Sequence, residues 1–159
     1  MGDSKLKRYS FGVDIGSTTL KVAVLDKNGE LVFSDYRRHN ANIRATASDV
    51  IRSIYSRLGN CVLDLVITGS VGMGYAERMG FRFVQEVVAA AETVKRCYPE
   101  VHTFIDMGGE DSKMIFFEEG KVPDIRMNGS CAGGTGSFID QTATLLGVDT
   151  SELNALAAK

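Results

Sequence analysis

Apolar positions along this chain fall into short runs broken by turn residues, and their spacing alternates between the period of a strand and that of a helix. Residues 11–14 read as a buried strand, Gly16-Ser17-Thr18 as a turn and residues 21–25 as a second strand. Asp26-Lys27-Asn28-Gly29 then predicts a hairpin, because Asn-Gly tolerates the positive φ values of a tight reversal, and residues 31–36 complete a three-stranded meander. Ser48 is placed to cap a helix carrying Val50, Ile51, Ile54 and Leu58 on one face, with Gly59 to end it. Residues 62–68 follow as a strand that empties into Gly69-Ser70-Val71-Gly72-Met73-Gly74, which reads either as a strand-to-helix connection or as a ligand contact. A helix over 85–97 carries the stripe Val87, Val88, Ala91 and Val94, and Pro99 stops it.

A second unit then begins. Strands over 103–106, 114–117 and 122–127 are separated by Gly108-Gly109 and Glu119-Gly120 turns. A glycine-rich stretch over 128–136 opens a helix through Phe138, Ile139, Leu145 and Leu146, ended by Gly147. A last helix starts near Thr150, and its amphipathic pattern is unfinished at Lys159, as expected of a chain cut from something longer. The order is three strands, helix, strand, helix, then three strands and helix again: an α/β chain with an internal repeat whose second unit lacks the counterpart of the first unit's final strand and helix.

Composition narrows the class. With 44% hydrophobic and 24% charged residues the chain reads as a soluble globular protein. No window approaches the roughly 18 apolar residues of a membrane span, and the polar start through Arg8 lacks the apolar core of a signal peptide, so a cytoplasmic setting with no membrane contact is expected. A net charge of -2 from interspersed signs gives no basic stripe, which argues against nucleic-acid binding. Cys61, Cys97 and Cys131 are too few and too scattered for a disulfide framework; Cys61 and Cys97 read as small packed groups, whereas Cys131 sits in the glycine-rich stretch.

The chemistry gathers at the turns. In Asp14-Ile15-Gly16-Ser17-Thr18, glycine lets backbone N–H groups approach phosphate oxygens and the two hydroxyls add donors. Asp14 would repel phosphate unless a Mg²⁺ ion bridged them. Asp106-Met107-Gly108-Gly109 repeats the plan. Either motif alone is ordinary turn chemistry, but two of them, each followed by a meander, favour phosphate binding by two half-sites facing one ligand. There is no G-x-x-x-x-G-K-[ST] loop, and no G-x-G-x-x-G joins a strand to a helix near the start. Cys131-Ala132-Gly133-Gly134-Thr135-Gly136-Ser137 opens a helix and reads either as an anion site or as a plain helix-entry turn. Glu86, at a helix start, reads as a solvated charge with a modest interaction with the helix dipole.

Together the two Asp-Gly motifs resemble the phosphate motifs of the actin, Hsp70 and sugar-kinase superfamily, and 85–91 looks like its connecting helix. Within it, residues 106–113, Arg126 to Gly136 and Phe138-Ile139-Asp140-Gln141 resemble the ATP-dependent activators of 2-hydroxyacyl-CoA dehydratases and benzoyl-CoA reductases. The resemblance implies a ribonuclease H-like, actin/Hsp70-type α/β ATPase fold with a first lobe over 1–100 and the start of a second lobe over 101–159. It implies ATP held by Gly16, Ser17, Thr18, Gly108, Gly109, Gly134, Thr135 and Gly136, Mg²⁺ organised by Asp14 and Asp106, and catalysis by Asp14, Glu86 and Asp106. It further implies a [4Fe-4S] cluster held in part by Cys131 in a homodimer, a ferredoxin or flavodoxin as electron donor, and a CoA-ester dehydratase or reductase as partner. By the same resemblance a second cluster cysteine and the adenosine-gripping half of the second lobe would fall beyond Lys159, so this chain by itself is not expected to assemble a cluster and is expected to show little or no turnover. A sugar or polyol kinase, and a non-catalytic nucleotide-sensing module, remain alternative readings of the same motifs.

Overall fold

The computed structural model describes residues 6–109, 111–128 and 134–158. Two compact units emerge, residues 1–89 and residues 90–159.

The first unit is built on a five-stranded sheet. Strands β1 (Lys7–Ile15), β2 (Thr19–Leu25) and β3 (Leu31–Arg38) form the expected antiparallel meander, and β4 (Cys61–Thr68) and β5 (Arg82–Phe83) add in parallel, giving the order β3-β2-β1-β4-β5. Helices α1 (Ile43–Leu58) and α2 (Gly72–Met79) complete it, and α3 (Glu86–Cys97) runs across the boundary between the units. Alternation along β1 decides what each face does. Phe11, Val13 and Ile15 are buried and join Leu20, Val22 and Val24 of β2, Val50 and Ile54 of α1, Ile67 and Ala76 in one core. Gly12 and Asp14, between them, face the other way.

The first helix starts earlier than the sequence predicts. Asn42, not Ser48, is its N-cap, accepting from the Ala45 N–H at 3.3 Å, and Ser48 lies inside the helix. Packing explains the extra turns: Ile43 and Ala47 continue the stripe of Val50 and Ile54 and pack on the same core. Gly59 ends the helix as expected, at φ 71° with its N–H donating to the Tyr55 carbonyl. The segment from Gly69 to Gly74, by contrast, is not one turn, because α2 starts at Gly72 and ends at Gly80 in the left-handed conformation.

In the second unit β6 (Thr103–Met107), β7 (Ser112–Phe116) and β8 (Asp124–Met127) form an antiparallel meander. Strand β8 starts two residues later than predicted, directly after Pro123, which has no N–H to donate to a ladder. Helix α4 (Gly136–Leu146) ends at left-handed Gly147, and a 3₁₀ turn, Thr150–Glu152, leads into α5 (Leu153–Ala157). Among the described residues, no helix is long and apolar enough to cross a membrane.

Candidate functional site

Four side chains line up across the first sheet on the face away from the core. Tyr36 pairs with Lys21, Lys21 with Asp14, and Asp14 with Thr68, so β3, β2, β1 and β4 each place one residue in a single row. Lys21 Nζ donates to Asp14 Oδ2 at 2.9 Å and lies 5.9 Å from the centre of the Tyr36 ring. Burial opposes the Lys21 charge, but the hydrogen bond and charge of Asp14, with attraction from Tyr36 and Glu86, outweigh it and hold the ammonium above the usual lysine value. Glu86, the first residue of α3, is thereby within electrostatic reach of the Asp14–Lys21 pair.

The other half of the Asp14 carboxylate is different. Asp14 Oδ1 and its neighbour Thr68 Oγ1 are both buried, and among the described residues neither has a hydrogen-bond partner. An unsatisfied buried polar atom costs on the order of 1–3 kcal/mol, and here two sit on residues paired across adjacent strands. A hard cation with oxygen ligands, such as Mg²⁺, fits this donor set. Gly69 keeps the space tight: at φ 95°, a Cβ there would lie 2.4 Å from Asp14 Oδ1 and 2.4 Å from the Ile15 carbonyl oxygen.

Beyond Asp14 the chain turns through Gly16, whose N–H donates to the Thr19 carbonyl at 3.0 Å. Ser17 and Thr18 are exposed, and among the described residues their N–H groups have no partner. The first motif thus brings a carboxylate, a cation and two open backbone donors to one end of the sheet.

The second unit repeats the hairpin. Asp106 pairs across strands with Lys113 as Asp14 does with Lys21, and Gly108 N–H donates to the Asp111 carbonyl at 2.9 Å. Buried Lys113 reaches Asp111 Oδ2 at 3.0 Å. Helix α4 is seated on this turn: the Gly136 and Ser137 N–H groups donate to the Gly108 and Gly109 carbonyls at 2.9 and 3.1 Å, and the Ser137 hydroxyl also donates to Gly109. Asp106, Gly108, Gly109, Thr135 and Gly136 are therefore neighbours within this unit, with Thr135 fully buried as the N-cap of α4. Two of the amides expected to face an anion are spent on carbonyls instead. Gly134 is exposed at φ 72°, and Cys131 lies outside the described residues.

Sequence reasoning passed over Lys21, Thr68, Lys113 and His39, the last a buried histidine whose ring nitrogen lies 3.1 Å from the Gly16 carbonyl oxygen. The signal for the two lysines is their shared position, seven residues after the aspartate in each motif. A separate apolar cavity of about 620 Å³ lies on the core side, lined by Phe11, Val13, Leu20, Val50, Tyr75 and their neighbours. Its polar lining is Arg44, Tyr75 and Arg78, with none of the carboxylates gathered around Asp14.

This chain is similar to known proteins over nearly its whole length. It is 34% identical over 156 residues to the (R)-2-hydroxyglutaryl-CoA dehydratase activating ATPase of Acidaminococcus fermentans, a match covering 95% of this chain and 58% of the relative. Among solved structures, component A of the (R)-2-hydroxyglutaryl-CoA dehydratase of the same organism superposes with a TM-score of 0.79 at 30% identity, covering 95% of this chain and 59% of the other. The activator of the 2-hydroxyisocaproyl-CoA dehydratase from Clostridium difficile, solved with bound ADPNP, gives 0.73 at 30% identity, covering 95% and 57%. The chain thus has the mixed α/β fold of actin/Hsp70-like ATPases and spans somewhat over half the length of these relatives. Residues 11–159 match the BadF/BadG/BcrA/BcrD ATPase family, and the chain belongs to that family.

Proposed function

We propose that this chain supplies nucleotide-binding elements of an ATP-dependent activator of a CoA-ester dehydratase or reductase. The observation that carries the reading is the orphaned Asp14 Oδ1 and Thr68 Oγ1 beside a turn with open Ser17 and Thr18 amides. Carboxylate, hydroxyl and backbone donors in this arrangement suit a magnesium-bound polyphosphate. Asp14 would hold the metal through Oδ1, while the open amides of Ser17 and Thr18 receive phosphate oxygens and Gly16, its own N–H held by the Thr19 carbonyl, shapes the turn. When bound, the metal supplies charge neutralisation of the phosphates. Glu86, at the start of α3, orients the attacking water.

In the second unit, Asp106 and the Gly108-Gly109 turn form the corresponding element, with Asp106 as its Mg²⁺ residue; of Gly134, Thr135 and Gly136, exposed Gly134 is left to meet a phosphate, because Thr135 is buried and the Gly136 amide is held by the Gly108 carbonyl. The division into a first lobe over 1–100 and the start of a second over 101–159 belongs to this reading. So do a [4Fe-4S] cluster held in part by Cys131 in a cytoplasmic homodimer, a ferredoxin or flavodoxin as donor, and ATP hydrolysis coupled to low-potential electron transfer. The support for these is the resemblance of residues 126–136 to the activators.

ATP turnover by the full-length protein, reconstituted with iron and sulfide, tests the reading. Wild type is expected to hydrolyse ATP and to show cluster absorbance, and Asp14→Asn to lose turnover about a hundredfold, as when one transition-state electrostatic contact is removed. No hydrolysis by the wild type, or equal turnover in Asp14→Asn, would refute it. Phosphate transfer to an added sugar or polyol would establish a kinase instead.

A further inference from the structure

Gly16 and Gly108 open turns with one hydrogen-bond plan. In both, the glycine N–H donates to the carbonyl three residues on, and in both the glycine carbonyl is drawn outward by a donor from elsewhere in its unit. For Gly108 the donor is a backbone amide, that of Gly136 at the start of α4. For Gly16 it is a side chain, the imidazole of His39.

The His39 ring can play only one part here. It is 4% exposed, and Nδ1 accepts the Ala41 N–H at 3.2 Å, so Nδ1 carries no proton and Nε2 is the donor, 3.1 Å from the Gly16 oxygen. The His39 backbone grips the same turn, since its N–H donates to the Thr18 carbonyl at 3.1 Å and its carbonyl accepts from Asn42 at 2.7 Å. Asn40 and Ala41, at φ 46° and 60°, adopt the left-handed conformation that non-glycine residues rarely enter, and this reversal brings the Ala41 N–H back onto the ring.

Peptide geometry transmits the contact. In a trans peptide the carbonyl and the following N–H point in opposite directions, so drawing the Gly16 carbonyl toward His39 aims the Ser17 N–H away from it. That amide is one of the two open donors of the turn. We propose that His39 is a positioning residue for nucleotide binding, holding the Ser17 amide toward a nucleotide phosphate through the Gly16 carbonyl. The proposal rests on the reading of this turn as a phosphate site.

Two isosteric replacements separate positioning from general support. Glutamine at 39 presents an amide N–H near the Nε2 position and keeps the bond to Gly16, whereas asparagine presents an oxygen near Nδ1 and keeps only the bond from Ala41. Calorimetric titration of Mg·ATP into the full-length wild type, His39→Gln, His39→Asn and His39→Ala, with thermal melts to fix the folded fraction, is the experiment. His39→Gln is expected to bind within about threefold of wild type, and the Asn and Ala variants about tenfold more weakly per folded molecule, as for loss of one charge-assisted hydrogen bond. If folded His39→Asn and His39→Ala bind like wild type, or if all three variants lose affinity only in step with folded fraction, the positioning role is overturned and the phosphate site stands. If the folded wild type itself does not bind Mg·ATP, the phosphate reading falls and takes this inference with it.

Discussion

Replacing Gly69 with alanine tests how closely the loop after β4 is fitted against Asp14. Gly69 sits at φ 95°, where an L side chain costs about 1–2 kcal/mol. The added Cβ would stand 2.4 Å from the Ile15 carbonyl oxygen, 2.6 Å from its carbon and 2.4 Å from Asp14 Oδ1. Two of those atoms are backbone of β1, which is hydrogen bonded on both sides and yields poorly, so a further overpacking cost of about 1–3 kcal/mol applies. The sum, about 2–5 kcal/mol, corresponds to a fall in melting temperature of about 5–15 °C for a chain of this size. Gly74 is the internal control, because a Cβ there meets nothing within 4 Å and the residue lies inside α2. Gly74→Ala is expected to be neutral or to stabilise by up to about 1 kcal/mol through helix propensity. Urea denaturation followed by circular dichroism, with both variants compared at equal m, decides the matter. Equal midpoints for Gly69→Ala and Gly74→Ala would refute the steric argument.

Local signals carried the meander, and long-range ones were hidden. Alternation along β1 and the Asp26-to-Gly29 reversal are written in neighbouring residues, and the structure keeps them, with Gly29 at φ 84° and its N–H on the Asp26 carbonyl. Helix α2 was illegible because glycines at 72 and 74 lower helix propensity, while the helix is held by packing of buried Ala76 and close approach of Gly72 to Ile67. The start of α1 went to Asn42 because Ile43 and Ala47 gain burial that Ser48 as a cap would forgo. Both glycine turns were legible as Asp-x-Gly, yet the groups that shape them come from far along the chain. His39 lies 23 residues from Gly16, and Ser137 lies 28 from Gly109. Composition and periodicity have no means of recording such contacts, whereas hairpin register does record the lysines: once Asp14 faces Lys21, the same spacing puts Asp106 opposite Lys113.

Two further expectations follow from burial and charge. Ile54 is 1% exposed in the core of the first unit, so Ile54→Ala should cost about 2–5 kcal/mol. Ile51 on the same helix is 46% exposed, so Ile51→Ala should cost much less; equal losses in urea melts would contradict the assigned core face. The last expectation concerns the Asp14–Lys21 pair. Because Lys21 is raised above its ordinary value of 10.5 in the folded state, its contribution to stability is complete below pH 10.5 and is lost as the pH rises through the higher folded value. Lys21→Met removes that proton linkage, so its stability should fall less steeply than that of wild type above pH 10.5. Lys21 binds Oδ2 and leaves Oδ1 without a partner, so the pair can persist when a cation joins the carboxylate. The alkaline loss should therefore appear with and without Mg·ATP; parallel alkaline limbs for wild type and Lys21→Met would show that the pair does not couple to folding at all.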